Sequence, residues 1–310
     1  DHIGYNLVNA YMRKEKNMIL DRKILQAVEE MRTGSKMHDD KRDEGLPTEI
    51  PEVERINDLS YGPDPKWNSL DIYLPKKRTG KVPVIISIHG GGWVYGTKET
   101  YQFYGLGLAK EGFAFVNFNY RLAPDVQFPG EMDDVNRLMH WVAEHGPEYD
   151  LDTGNVFFVG DSAGGQMEEQ YLAILTNDKF RQLFGYELPK LTVRAAALNC
   201  GAYFMLTPGF TDGAPGAYFT PEAVSGKEEM LNTEKYLTQN LPPLFIMTAN
   251  QDFLHDSAVR LDGYLLAKEI PHELHIYGDM ENPRGHVFHC NQRDDIAKQC
   301  NLDELNFFRK

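Results

Sequence analysis

From about residue 52 onward, short apolar runs recur along the chain, separated by longer amphipathic stretches. Val84-Ile85-Ile86-Ser87-Ile88, Ala114-Phe115-Val116-Asn117-Phe118 and Leu244-Phe245-Ile246-Met247-Thr248 are nearly continuous apolar segments. Runs of that length and kind belong to strands covered on both faces, as in a central parallel sheet. Strands are predicted over 53–60, 68–74, 83–88, 113–119, 155–160, 192–199, 243–249 and 272–277. Helical stretches fall between them, near 100–111, 130–145, 164–176, 257–269 and 287–299. This alternation is that of a doubly wound α/β sheet.

Two regions depart from the rhythm. Near the start, Leu20, Ile24, Ala27 or Val28, and Met31 recur at helical spacing with Arg, Lys and Glu between them, which predicts an amphipathic helix over 17–32. Thr33-Gly34-Ser35 is expected to stop it, leaving 36–47 as a polar loop. Such a piece reads as a docked cap or as a dimerisation arm, and the pattern leaves both open. Residues 202–240 hold several Gly and Pro residues and the aromatics Tyr203, Phe204, Phe210, Tyr218 and Phe219, but no clear strand. An insertion there, at the strand ends, would make a lid.

Composition narrows the class. A chain of 310 residues, 42% hydrophobic, can bury a large core. Its net charge of −14 argues against nucleic-acid and anionic-membrane partners, which need clustered Lys and Arg. No run approaches the length of a membrane-spanning helix, and Asp1-His2-Ile3-Gly4 does not open a basic-then-apolar leader. Cys200, Cys290 and Cys300 fit no Cys-x-x-Cys spacing and are odd in number, so they are expected to be structural thiols in a reducing compartment, by default the cytoplasm.

The chemistry concentrates at two glycine-rich turns. Residues 158–165 read Phe-Val-Gly-Asp-Ser-Ala-Gly-Gly, a strand running into a Gly-x-Ser-x-Gly turn centred on Ser162. A strand that reverses sharply into a helix strains its central residue and pushes the serine Oγ out at a helix N-terminus. His89-Gly90-Gly91-Gly92-Trp93 follows the strand 83–88 directly. Consecutive glycines present bare backbone N–H groups, the donors that acyl transfer through a serine requires for its oxyanion.

These motifs, with Asn119-Tyr120-Arg121-Leu122-Ala123-Pro124, resemble the hormone-sensitive-lipase-like branch of the α/β-hydrolase superfamily over about residues 50–310. The resemblance implies a mostly parallel, eight-stranded central sheet flanked by helices. It also implies a helical cap formed by residues 1–50, with a cap insertion at about 202–240 in the catalytic domain 51–310. It further implies a triad in the order Ser, acid, His. Asp252 follows a predicted strand and takes the first place of the family's Asp-x-Leu-x-Asp pattern in Asp252-Phe253-Leu254-His255-Asp256, with Asp256 as the competitor. His286, in Arg284-Gly285-His286-Val287-Phe288, matches the family's Gly-His-x-Phe. His289 is expected to pack, and His272 and His275 to point away from the strand end.

In that frame Gly91, Gly92 and Ala163 would form the oxyanion hole, His89 would fix the glycine loop, and Asp161 would bond loop backbone. Trp93 has two readings, an acyl-pocket wall or lid packing. The implied activity is a serine carboxylesterase acting on short-chain acyl esters, acetyl to hexanoyl, without metal or organic cofactor. The small-molecule ester is the only partner implied, although a homodimer is left open by analogy with relatives. An amidase or lactonase with the same triad, and a ligand-binding receptor like the plant gibberellin receptors, are the alternatives; the receptors lack the histidine that stands here at His286. One departure is plain. Where the family usually has small apolar residues after the elbow, this chain has Glu168-Glu169. An unpaired buried carboxylate is costly, so these side chains should reach water or a basic partner, or the local packing should differ.

Overall fold

A computed structural model describes residues 2–310, with the side chains of residues 2–6, Asn17 and Leu20 outside the described set. Strands β1 (Val53–Ser60), β2 (Ser69–Pro75), β3 (Val82–Ile88), β4 (Ala114–Phe118), β5 (Leu151–Asp161), β6 (Val193–Asn199), β7 (Leu244–Ala249) and β8 (His272–Tyr277) form one sheet. Its order is β1-β2-β4-β3-β5-β6-β7-β8. β1 and β2 pair antiparallel, as do β2 and β4; every pair from β4 through β3 to β8 is parallel. This is an α/β-hydrolase sheet, in which β2 alone runs against the other strands.

The apolar runs explain the layers. Side chains alternate across a strand, so Val84 and Ile86 of β3 join one buried cluster while Ile85 joins another on the opposite face. Helices α3 (Gly130–His145) and α4 (Ala163–Thr176) contribute Met132, Val135, Met167 and Tyr171 to the first. Helices α2 (Gln102–Ala109) and α8 (Asp295–Phe308) contribute Leu106, Leu108, Leu305 and Phe308 to the second. Helices α5 (Asp178–Phe184), α6 (Pro221–Val224) and α7 (His255–Ala267) follow along the chain. Residues 202–240 hold α6 and short 3-10 turns and no strand.

Three local expectations are corrected. The helix expected over 17–32 is α1 (His2–Asp43), which passes through Gly34 instead of stopping there. Glycine weakens a helix interior by only about 1 kcal/mol, and tertiary bonds hold the helix on both sides of it. Arg32 donates to Val94 O and Ala123 O, each at 2.9 Å, and Tyr95 Oη donates to Asp39 Oδ2 at 2.8 Å. The predicted inner face is buried or half-buried at Ile24, Ala27, Val28 and Met31, and the Leu20 side chain lies outside the described residues. Near 287–299, helix α8 begins only at Asp295, capped by Asp294, whose carboxylate accepts from Ala297 N–H. Helix α5, which the sequence pattern did not suggest, starts at Asn177, whose side chain accepts from Lys179 and Phe180 N–H.

Candidate active site

Parallel strands send their C-terminal ends to one side of the sheet, where ligands bind in open α/β folds. The adjacent central strands β3 and β5 deliver the glycine loop and Ser162, while the loops after β7 and β8 deliver Asp252 and His286. Ser162 has φ +54° and ψ −119°, a strained conformation for a residue with a side chain. Neighbouring bonds hold it: its N–H donates to Asn199 O at 3.1 Å, and its carbonyl accepts from Gln166 N–H at 3.1 Å. Only glycine serves at position 164, because a Cβ there would stand 2.0 Å from Ile88 O. That close approach sets the start of α4 against the end of β3.

The three expected residues meet. His286 Nε2 lies 2.9 Å from Ser162 Oγ, and His286 Nδ1 lies 2.7 Å from Asp252 Oδ1. Asp252 also accepts from Thr248 Oγ1 at 2.8 Å and from Leu254 N–H at 2.9 Å. Burial alone would raise its carboxyl, but the hydrogen bond and charge of His286, with these two donors, hold it below the ordinary carboxylate range. The acid and histidine loops are tied to each other as well. Gln251 N–H donates to Arg284 O at 3.0 Å, Arg284 N–H donates to Asn250 Oδ1 at 2.9 Å, and the Arg284 guanidinium clamps Asp294 with two 2.8 Å bonds. Asp256 stands exposed in the first turn of α7, away from this array.

The other histidines are engaged elsewhere. His289 is buried edge-on to Tyr104, His272 pairs with Asp262 at 2.7 Å, and His275 stacks on Phe245. His89 is buried against Tyr120, its Nδ1 2.7 Å from Gly90 O, and burial lowers it to about 4, so it is neutral. Asp161 accepts from Gly90 N–H at 3.1 Å and from Tyr101 Oη at 2.7 Å, bonding the loop backbone as its place beside the elbow suggested.

Gly91 has φ +128° and a Cβ there would stand 1.9 Å from Tyr95 O, so the loop requires glycine at this turn. The N–H groups of Gly91, Gly92 and Ala163 have no hydrogen-bond acceptor among the described residues. Trp93 is buried: its Nε1 donates to Gln166 Oε1 at 3.1 Å and its ring meets Phe219 edge-on at 4.9 Å. It is not among the residues lining the cavity over Ser162.

That cavity measures about 340 Å³. Besides Ser162, His286 and the glycine loop, its wall includes Met31, His38, Asp39 and Arg42 from α1, and Phe253, whose ring lies 4.3 Å from that of His286. The sequence pattern missed these. Residues 36–47 read as a polar loop, and only the i, i+3 and i, i+4 spacing of His38, Asp39 and Arg42 on a continued helix could have placed them on one face. Arg42 donates to Asp39 Oδ1 at 3.0 Å and to Asp43 Oδ2 at 2.6 Å.

Glu168 and Glu169 are fully buried in α4. Neither reaches water or a basic partner; the packing differs instead. Both Glu168 carboxyl oxygens lack a hydrogen-bond partner among the described residues. Burial, then the nearby Glu304 and Asp161 carboxyls, pushes Glu168 well above the ordinary range. Burial and the facing Glu234 carboxyl do the same to Glu169. Both are therefore held as neutral acids.

Cys200, Cys290 and Cys300 are all free and buried. Among the described residues, no helix is long and apolar enough to cross a membrane.

Comparison with known proteins places this geometry. The BD-FAE family model matches residues 70–196. A putative alpha/beta hydrolase, R526, of Acanthamoeba polyphaga mimivirus is 28% identical over 194 residues, covering 60% of this chain and 56% of that protein. Esterase LipI of Mycobacterium tuberculosis is 27% identical, covering 63% of each. Carboxylesterase NlhH of the same species is 28% identical over 246 residues, covering 74% of each. The chain thus spans 56% and 63% of the length of the first two of these relatives. A solved structure of esterase B from Lactobacillus rhamnosis, inhibited by a C4-C4 tributyrin phosphonate, superposes with a TM-score of 0.84 at 24% identity, covering 93% of this chain and 95% of that one. A second structure of that esterase, with a C6-C4 inhibitor, gives 0.81 at 26% identity, covering 92% and 96%. The elbow at Ser162, the glycine loop after β3 and this sheet order are those of an α/β-hydrolase fold, and the matched segment and relatives make the chain similar to the hormone-sensitive-lipase-like branch of that superfamily.

Proposed function

We propose that the protein is a serine carboxylesterase that hydrolyses small acyl esters, acetyl to hexanoyl, through an acyl-enzyme. The observation that carries this reading is the continuous relay from Ser162 Oγ through His286 to Asp252, at 2.9 and 2.7 Å. His286 Nε2 takes the Ser162 proton as Oγ attacks the ester carbonyl carbon. The developing oxyanion is received by the N–H groups of Gly91, Gly92 and Ala163, whose lack of protein acceptors supports that role. Asp252 fixes the imidazole tautomer and stabilises imidazolium. His286 then gives the proton to the departing alkoxide, and the alcohol leaves. Water, deprotonated by the same imidazole, attacks the acyl-enzyme, and the proton returns to Oγ as the carboxylic acid is released.

A cavity of about 340 Å³ favours short acyl chains over long ones. The test is a p-nitrophenyl ester series from acetate to palmitate. Turnover is expected to peak at C2–C6 and to fall by about 10⁵-fold or more in Ser162→Ala. A fluorophosphonate adduct mapped to any other residue would overturn the site. Turnover rising toward palmitate would overturn the chain length alone.

A further inference from the structure

The two halves of α1 have different surroundings. From Ile24 onward its inner face, with Val28 and Met31, packs on the hydrolase body. Over residues 7–19 the helix leaves that body, and Leu7, Val8, Tyr11, Met12, Met18 and Ile19 are all exposed. At about 100° per residue these six, with exposed Leu25, share one stripe. The centre of the stripe lies on the opposite side of the helix from Ile24, Val28 and Met31, and only its inner end, at Leu25, borders the body, beside Pro124 and Glu222. Its midline follows Val8, Tyr11, Glu15, Met18, Arg22 and Leu25, the alternating three- and four-residue steps of a coiled-coil seam. An isolated helix of this length is marginal in water unless its apolar face is covered.

The two polar residues on the midline say what covers it. Glu15 and Arg22 carry opposite charges, both are exposed, and neither makes an ion pair among the described residues. We propose that this half of α1 pairs antiparallel with α1 of a second copy of the chain, about a two-fold axis beside Lys16. In that register Val8 faces Leu25 of the partner subunit and Tyr11 faces Arg22 of the partner subunit. Glu15 then stands within one helical turn of Arg22 of the partner subunit, and symmetry makes the pair twice. A lipid surface would also accept an apolar stripe flanked by Lys14 and Lys16. It offers nothing to Glu15 at mid-stripe, whereas a second copy offers an arginine. The inference does not depend on the proposed activity.

Sedimentation velocity of the full chain tests it, because every altered residue is exposed and none touches the site. The chain is expected to sediment as a dimer, and Met18→Glu with Ile19→Glu as a monomer. Glu15→Arg alone, or Arg22→Glu alone, should weaken the dimer about tenfold, and the two together should restore it. A chain that stays monomeric would overturn the proposal, and co-sedimentation of that monomer with anionic phosphatidylserine vesicles would assign the stripe to lipid. A dimer indifferent to these substitutions would place the interface elsewhere. A charge-swapped double variant no tighter than either single would overturn the pairing.

Discussion

Asp252 and Glu168 are both buried carboxyl groups near Ser162, and they are in opposite states. Asp252 is surrounded by donors: the His286 imidazole, the Thr248 hydroxyl and the Leu254 N–H. Glu168, on the helix behind the elbow, has none, and its nearest charged neighbours are other carboxyls. One is kept as an anion and the other as a neutral acid. Burial magnifies whatever surrounds the group; the number of donors decides which protonation state survives. The same chemical change, carboxyl to amide, should therefore have opposite consequences at the two positions.

The largest effect is expected at Asp252. Asp252→Asn should leave the fold intact but present an N–H or a neutral oxygen to His286 Nδ1, favouring the wrong tautomer. A loss of about 10⁴ in kcat follows, read by single-turnover kinetics with a p-nitrophenyl ester. A loss of only a few-fold would mean that another acid, with Asp256 the candidate, supports the histidine.

Glu168→Gln should leave kcat within a few-fold and change stability instead. The folded-state carboxyl lies well above its unfolded value of about 4.3, so its contribution is fully present below that pH and is lost as pH rises. Urea unfolding should show the wild type losing stability from pH 5 to pH 8 more steeply than the variant. The variant should be more stable by about 2 kcal/mol at the alkaline end. The slope it retains belongs to Glu169 and to Glu304 and Asp161, which burial pushes up to about 7 and about 6. Parallel curves would show that Glu168 is ionised in the folded protein and has found a donor.

The smallest effect is at Thr248. Thr248→Val removes one of the donors to Asp252 at equal volume. A single hydrogen bond to a charged group is worth about 1.5–3 kcal/mol, shared here between stability and orientation of the imidazole. A several-fold fall in kcat with KM unchanged is expected. A change in KM alone would mean that Thr248 acts on the cavity and not on the acid.

The strands were legible because both faces of a parallel sheet demand apolar residues, and β1 through β8 lie within a few residues of their apolar runs. The elbow and the glycine loop were legible because each sits at a strand end where local backbone rules restrict the residue types, whereas Asp252 and His286 were placed by the resemblance to the family's Asp-x-Leu-x-Asp and Gly-His-x-Phe patterns. The wall of the cavity was not. His38, Asp39 and Arg42 read as loop residues, since Gly34 marks a helix end by propensity and only long-range bonds such as Tyr95 to Asp39 override it. Trp93 gave two readings because its partners, Gln166 and Phe219, come from distant parts of the chain. Glu168 and Glu169 could be flagged as discordant but not explained, because the acid each one meets comes from a distant part of the chain.

The continuity of α1 through Gly34 has a mechanical consequence. At 1.5 Å per residue the helix is a rod about 60 Å long, with its outer end in solvent and its inner end forming part of the wall around Ser162. Bonds from Arg32 to Val94 O and Ala123 O and from Tyr95 to Asp39 clamp the rod well past Ile24 and Val28, so its inner end is fixed to the hydrolase body. Whatever grips the outer end therefore pulls on a lever whose fixed end is part of the wall around Ser162.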